Sequence, residues 1–306
     1  MIVDPVTHFT SGVVLSKTLG FKANTKSVVL FGSFALLPDI DNVISFFGTK
    51  ADYLLYHRGF THSVWGGLLL GILAAFILNK IFKNKFLFSA ITGIAIMYTH
   101  IYLDYITSYG TQLLAPFSRH RFALSSVFII DPFYTLILIT LSIFAFILKS
   151  RKTAIIAATF LILYPIANLG IKSFVRYEVS KLTDNNAIVT TTALTPLYWK
   201  IIIEDKDSYK VKDIKTFGQI NPATFTSYKK FDKNNDAYNL NNKFLKTYLW
   251  FVDYPVIVRT GGKYDFEIFD LKFVLNENIF DKQKHKAFAL QLKTNGRGEL
   301  TDYNFD

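Results

Sequence analysis

Four apolar stretches, residues 61–82, 86–107, 127–148 and 153–175, dominate the first part of this 306-residue chain. A helix that crosses a bilayer needs roughly 20 such residues, so each is long enough to span. Two earlier stretches are weaker. Residues 27–37 are uncharged, are interrupted by Pro38-Asp39-Ile40-Asp41, and resume over residues 42–47. Residues 5–21 read as a helix with Asp4 as its N-cap and Pro5 in its first position. The expected fold is an α-helical membrane bundle of about six membrane helices, followed by a small, mostly β soluble domain. No cleaved signal is expected, because the N-terminus lacks a basic segment ahead of an apolar one.

The charge distribution divides the chain at the same place. Residues 1–176 carry fifteen Lys and Arg against six Asp, a balance of +9, and no Glu; residues 177–306 carry seventeen acids against nineteen bases. We therefore expect a membrane-embedded domain over 1–176 and a soluble domain over 177–306. The basic excess lies beside apolar spans, so it reads as topology charge and no nucleic-acid partner is expected. There is no Cys, which excludes disulfides and thiolate metal sites.

If six segments cross, the loops fall alternately on two sides. One side collects Lys17, Lys22, Lys26, Lys80, Lys83, Lys85, Lys149, Arg151 and Lys152; the other collects Lys50, Arg58, Arg119 and Arg121. The Lys-rich side is cytoplasmic by the positive-inside rule. The predicted localisation is the cytoplasmic (inner) membrane, multi-pass, with the C-terminal domain outside the cytoplasm.

Beyond Arg176 the pattern changes to alternation and turns. Strands are expected over residues 188–193, 198–203, 209–217 and 248–259, with Gly261-Gly262 as a hairpin turn. Tyr264, Phe266 and Ile268 alternate with polar residues, then the phase slips to Phe269, Leu271, Phe273 and Leu275, which predicts a bulged strand. Residues 229–242, rich in Asn, Asp and Lys, read as an exposed loop.

Ionisable groups inside apolar segments mark a site, and here they form a set: His8, Asp39, Asp41, His57, Arg58, His62, His100, Asp104 and Asp131. His8, His62 and Asp131 lie near the starts of segments that begin on the outer side. Asp39, Asp41, His100 and Asp104 lie near the ends of segments that finish there. All share one depth. His100 and Asp104 are one helical turn apart on one face, and Asp39 and Asp41 point the same way if Pro38 opens that stretch into extended structure. Imidazole and carboxylate without thiolate suit a divalent metal, Zn²⁺ first and Mn²⁺ next, in one to three ions. The expected ligands are His8, Asp39, Asp41, His62, His100 and Asp104. His57 suits either ligation or general acid–base work, Asp131 a position behind a ligating His, and Arg58, Arg119 and Arg121 an anionic headgroup.

Thr7-His8, Pro38-Asp39-Ile40-Asp41, the block His57-Arg58-Gly59-Phe60-Thr61-His62-Ser63, and His100-Ile101-Tyr102-Leu103-Asp104 with Gly110 and Ala115-Pro116-Phe117 resemble the membrane-bound metal-dependent hydrolase family. That family is also described as LexA-binding, inner-membrane-associated hydrolases. The resemblance covers about residues 1–135, and Pro196-Leu197-Tyr198-Trp199 resembles a signature that follows the last span in longer members. It implies an inner-membrane hydrolase with a bound metal and a distant likeness to zinc-dependent phospholipases. The repressor contact in the family's other name finds no support in these residues, and an outward-facing domain argues against it.

The expected function is hydrolysis of a phosphoester at the outer face of the membrane, on a membrane lipid or lipid-linked substrate, with a protein partner possible for the C-terminal domain. Two rivals use the same residues. One is ion or proton translocation, which favours polar groups spread through the membrane depth; the other is a non-enzymatic envelope protein with a structural metal site, which favours a closed site.

Overall fold

Asp4 fixes where the chain turns helical. Its carboxylate accepts the backbone N–H groups of Val6 and Thr7 at 3.2 and 3.1 Å, and Pro5 occupies the first helical position. The computed structural model, which describes residues 4–22, 24–183, 186–232, 242–275, 285–295 and 300–305, runs α1 over Pro5–Thr18. The helix stops short of the expected residue 21 because Gly20 turns left-handed at φ +95° and Phe21 N–H bonds back to the Ser16 carbonyl.

Asn24 caps α2 (Thr25–Phe34) by accepting from Ser27 N–H. Pro38 then opens a 3-10 turn over Leu37–Val43 that runs into α3 (Ile44–Phe47), with a 56° bend between α2 and this second piece. The stretch expected to be extended is thus helical. α4 (Lys50–Tyr56) and a 3-10 turn at Phe60–His62 lead to α5 (Val64–Phe82), capped by the Ser63 hydroxyl. α6 (Phe86–Tyr105) returns beside α5, with the Tyr98 hydroxyl donating to the Val64 carbonyl. The two helices touch backbone to backbone: a Cβ on Gly93 would lie 2.3 Å from the Gly71 carbonyl oxygen. Asp131 caps α7 (Pro132–Ile147), and α8 (Arg151–Ser180) is 30 residues long.

Among the described residues, α5, α6 and α8 are long and apolar enough to cross a membrane, and the bent α2–α3 pair makes a fourth if it counts as one span. The expected count was about six. α1 has 14 residues and α7 has 16, so they rise about 21 and 24 Å, less than a hydrocarbon core of about 30 Å.

The chain forms two compact units, Met1–Phe47 with Tyr56–Leu169, and Gly48–Leu55 with Gly170–Asp306. The first is packed around two apolar clusters, one centred on Leu103, Tyr134, Leu138 and Leu161 and one on Phe31, Phe34, Leu78 and Met97.

In the second unit β1 (Ala187–Thr191), β2 (Tyr198–Glu204), β3 (Ser208–Lys215) and β4 (Thr226–Lys229) form an antiparallel sheet in chain order. Val175 and Val179 of α8 pack with Val189, Trp199, Ile201 and Ile214 from this sheet. β5 (Pro255–Arg259) and β6 (Phe266–Asp270) form a hairpin around Gly261-Gly262, as expected. β7 (Val274–Leu275) pairs with β8 (His285–Lys286), and β9 (Leu290–Thr294) and β10 (Leu300–Phe305) complete a second antiparallel sheet in the order β10-β9-β6-β5.

Two local expectations are corrected. The strand expected over residues 248–259 is divided, because Asn242 caps α9 (Lys243–Phe251) by accepting from Phe244 and Leu245 N–H at 2.8 and 3.1 Å. Its buried Phe244, Leu245, Tyr248 and Leu249 make a helical face, and only Pro255–Arg259 is strand. The phase slip after Ile268 is not a bulge: Asp270 ends β6 and accepts from Lys272 N–H at 3.0 Å, which starts a 3-10 turn at Leu271–Phe273. Of the loop expected at 229–242, residues 233–241 lie outside the described residues.

Candidate metal centre

The polar residues of the membrane segments meet at one end of the helices. His8 comes from the first turn of α1, Asp39 and Asp41 from the 3-10 turn after α2, His62 from the turn before α5, and His100 and Asp104 from the last turns of α6. All but Asp39 are buried. The His57–Ser63 block holds its shape through Asp41, whose Oδ2 accepts Arg58 N–H at 2.9 Å and the Thr61 hydroxyl at 3.0 Å. Arg58 is left-handed at φ 56°, a conformation that costs a non-glycine residue about 1–3 kcal/mol and persists where its surroundings demand it. The next residue must be glycine for space, since a Cβ on Gly59 would sit 2.6 Å from the Tyr56 carbonyl oxygen.

The imidazoles are set by their Nδ1 atoms. Nδ1 lies 2.7 Å from the Asp4 carbonyl in His8, 3.0 Å from Asp41 Oδ2 in His62, and 2.6 Å from the Ala35 carbonyl in His100. Carbonyl and carboxylate oxygens accept only, so each Nδ1 carries the hydrogen and each neutral ring keeps its lone pair on Nε2. Those lone pairs converge. His62 Nε2 is 3.1 Å from Asp104 Oδ2, 3.4 Å from Asp39 Oδ1 and 3.1 Å from His100 Nε2. His100 Nε2 is 3.4 Å from Asp104 Oδ2 and 3.7 Å from Asp39 Oδ1.

Asp39, His62, His100 and Asp104 each offer one donor atom, all within 4.8 Å of one another. Two imidazole nitrogens and two carboxylate oxygens are a donor set for a divalent first-row ion. Five of the six separations are 3.1–3.7 Å, and tetrahedral corners about 3.4 Å apart would lie about 2.1 Å from their centre. Asp39 Oδ1 and Asp104 Oδ2 are buried without a hydrogen-bond partner, a costly state for carboxylates unless a cation lies against them. His8 stands at the edge of this group, its ring 4.1 Å from that of His100 and its Nε2 3.4 Å from Asp104 Oδ1.

Three expected roles change. Asp41, expected as a ligand, is turned to the far side of His62: its Oδ2 receives His62 Nδ1, Arg58 N–H and the Thr61 hydroxyl, and its Oδ1 faces His57 Nδ1 at 2.9 Å. A helical turn separates two residues at positions i and i+2, and Asp39 and Asp41 accordingly address opposite nitrogens of His62. Asp131 orients none of the imidazoles; it accepts from Tyr134 N–H at 2.9 Å and the Tyr164 hydroxyl at 3.2 Å. It does border a small cavity with Asp4, His8, Arg58 and Asp104. Arg119 is exposed, whereas Arg58 and Arg121 both lie over the Tyr109 ring, at 4.6 and 5.2 Å. Arg58 Nη2 also reaches Asp104 Oδ1 at 2.8 Å.

Sequence reasoning did not single out Tyr109, one of seventeen tyrosines, or the Asp4 and Ala35 carbonyls. A backbone oxygen carries no mark in a sequence.

The model of the YdjM inner membrane protein family matches residues 3–177, more than half of the chain and all of the residues just described. The chain belongs to that family. It is also similar to the uncharacterized protein YfhP of Bacillus subtilis (strain 168), 29% identical over 144 residues, or 43% of this chain and 42% of that protein. The chain thus spans less than half the length of this relative. No solved structure matches the chain. Family and apolar helices together make this a membrane protein, with Asp39, His62, His100 and Asp104 as a group that could bind a metal ion.

Proposed function

We propose that the protein is a metal-dependent hydrolase of the cytoplasmic membrane that acts at the outer face on a phosphoester, as a membrane lipid or lipid-linked substrate. The observation that carries this reading is the convergence of the His62 and His100 Nε2 atoms with the Asp39 and Asp104 carboxylates at one end of apolar helices. Those four residues would hold the ion, Zn²⁺ first and Mn²⁺ next by donor type, with His8 as a further donor. A divalent ion bound there would polarise a phosphoryl oxygen and lower the pKa of a bound water. The chain's own residues supply the rest. His57, held through Nδ1 by Asp41, would take up or return a proton. Arg121, partly exposed with its guanidinium over Tyr109, would bind a phosphate, and Arg58 pairs with Asp104.

In this reading α1, the α2–α3 pair and α7 also cross, with the bilayer thinned around the shorter helices. Six crossings put residues 177–306 outside the cytoplasm, where that β-rich domain is open to a protein partner. The test is phosphate-ester hydrolysis by detergent-purified protein on phosphatidylglycerol vesicles and on a chromogenic phosphodiester. Turnover that needs added Zn²⁺ or Mn²⁺ and disappears in His62→Ala/Asp104→Ala is expected. Equal turnover in that variant would remove the hydrolase reading.

A further inference from the structure

An exposed apolar stripe runs along α8. Ile155, Ile162, Ile166, Phe174 and Tyr177 are all exposed, and steps of seven, four, eight and three residues keep them on one side of an α-helix. Its lower members lie within the apolar run from Ala154 to Ile171, about 27 Å of helix and so close to the full thickness of a hydrocarbon core. Phe174 and Tyr177 come within two turns beyond it, at headgroup depth.

The stripe does not end with the helix. Phe217, just after β3, is 86% exposed and its ring lies 5.8 Å from that of Phe174. Leu197, just before β2, is 55% exposed and accepts the Thr216 N–H at the same end of the sheet. A groove of about 560 Å³ runs between helix and sheet here, lined by Phe174, Val175, Leu182, Ile214, Phe217 and Ile220. Its polar edge is formed by Thr216, Gln219 and the ion pair of Lys181 with Glu178 at 2.7 Å. Lys181 Nζ lies 4.2 Å over the Tyr177 ring.

Large exposed aromatic and aliphatic side chains are costly in water and favourable where a bilayer changes from tails to headgroups. We propose that Phe217, Leu197 and Phe174 form a lipid-binding foot on the second unit, which inserts into the membrane interface and takes a phospholipid acyl chain along the groove. The occupant is lipid because Phe174, whose ring meets that of Phe217, lies on a helix long and apolar enough to cross a membrane, Arg151–Ser180. The inference rests on α8 crossing the bilayer and is independent of the metal centre.

The absence of Cys makes the test direct, since a single introduced thiol can carry a polarity-sensitive fluorophore. The full-length variants Phe217→Cys, Leu197→Cys, Ile162→Cys and Lys263→Cys are labelled and reconstituted into vesicles of phosphatidylethanolamine and phosphatidylglycerol, with and without brominated acyl chains. Ile162 reports the span, and Lys263, exposed between β5 and β6, reports water. Brominated lipid should cut emission about twofold at 162, 217 and 197 and leave 263 unchanged. Quenching at 162 but neither at 217 nor at 197 overturns the foot while keeping the span. No quenching at 162 overturns both. Emission at 217 shielded from aqueous iodide yet insensitive to brominated lipid assigns the surface to a protein and also overturns the proposal.

Discussion

The Nε2 atoms of His62 and His100 lie 3.1 Å apart, each on a ring whose Nδ1 already faces an acceptor. Two neutral rings in this state would press lone pair against lone pair. A cation between them resolves the conflict, and the carboxylates of Asp39 and Asp104 on the same spot favour a divalent one.

Asp41 acts on this pair from behind. Asp41→Ala removes both the oxygen that faces His62 Nδ1, Arg58 N–H and the Thr61 hydroxyl and the one that faces His57 Nδ1. Removing such an orienting carboxylate lowers metal affinity about 10- to 100-fold. Competition against a chromogenic chelator measures this. An affinity equal to the native protein's would show that Asp41 does not orient His62.

Arg58 is buried against Asp104 and places Nη1 3.1 Å from the Thr107 hydroxyl. Arg58→Met leaves a buried carboxylate without its cation, at a cost of about 3–5 kcal/mol. Thermal unfolding in detergent should drop accordingly, and Arg58→Met combined with Asp104→Asn should cost less than the sum of the two. Strict additivity would mean the two side chains do not interact.

The candidate group was legible in the sequence because charge inside apolar helices is conspicuous: Asp39, His62, His100 and Asp104 come together, with His8 beside them. Which carboxylate faces the centre was not legible. That depends on the 3-10 turn at Leu37–Val43, and a Pro-Asp-Ile-Asp run is equally compatible with extended chain. The hairpin at Gly261-Gly262 was visible because glycine marks the turn. α9 was not, since Tyr248–Phe251 has the composition of a strand, and only the Asn242 cap and the fit of Tyr248 against the Ile268 and Phe288 carbonyls make it helical.

Orientation has its own test. A reporter fused after Asp306 should be active outside the cytoplasm, and a tag in the loop at residues 83–85, between α5 and α6, should resist labelling from outside. A cytoplasmic C-terminus would move the centre to the inner face and contradict the proposed orientation.

The central claim is that His62, His100, Asp39 and Asp104 bind a metal ion. Elemental analysis of detergent-purified protein measures it directly, comparing the native chain with His62→Ala/Asp104→Ala. We predict at least about one divalent ion per native chain and loss of most of it in the variant. Equal metal in both proteins, or none in the native chain after incubation with Zn²⁺ and Mn²⁺, would contradict the account.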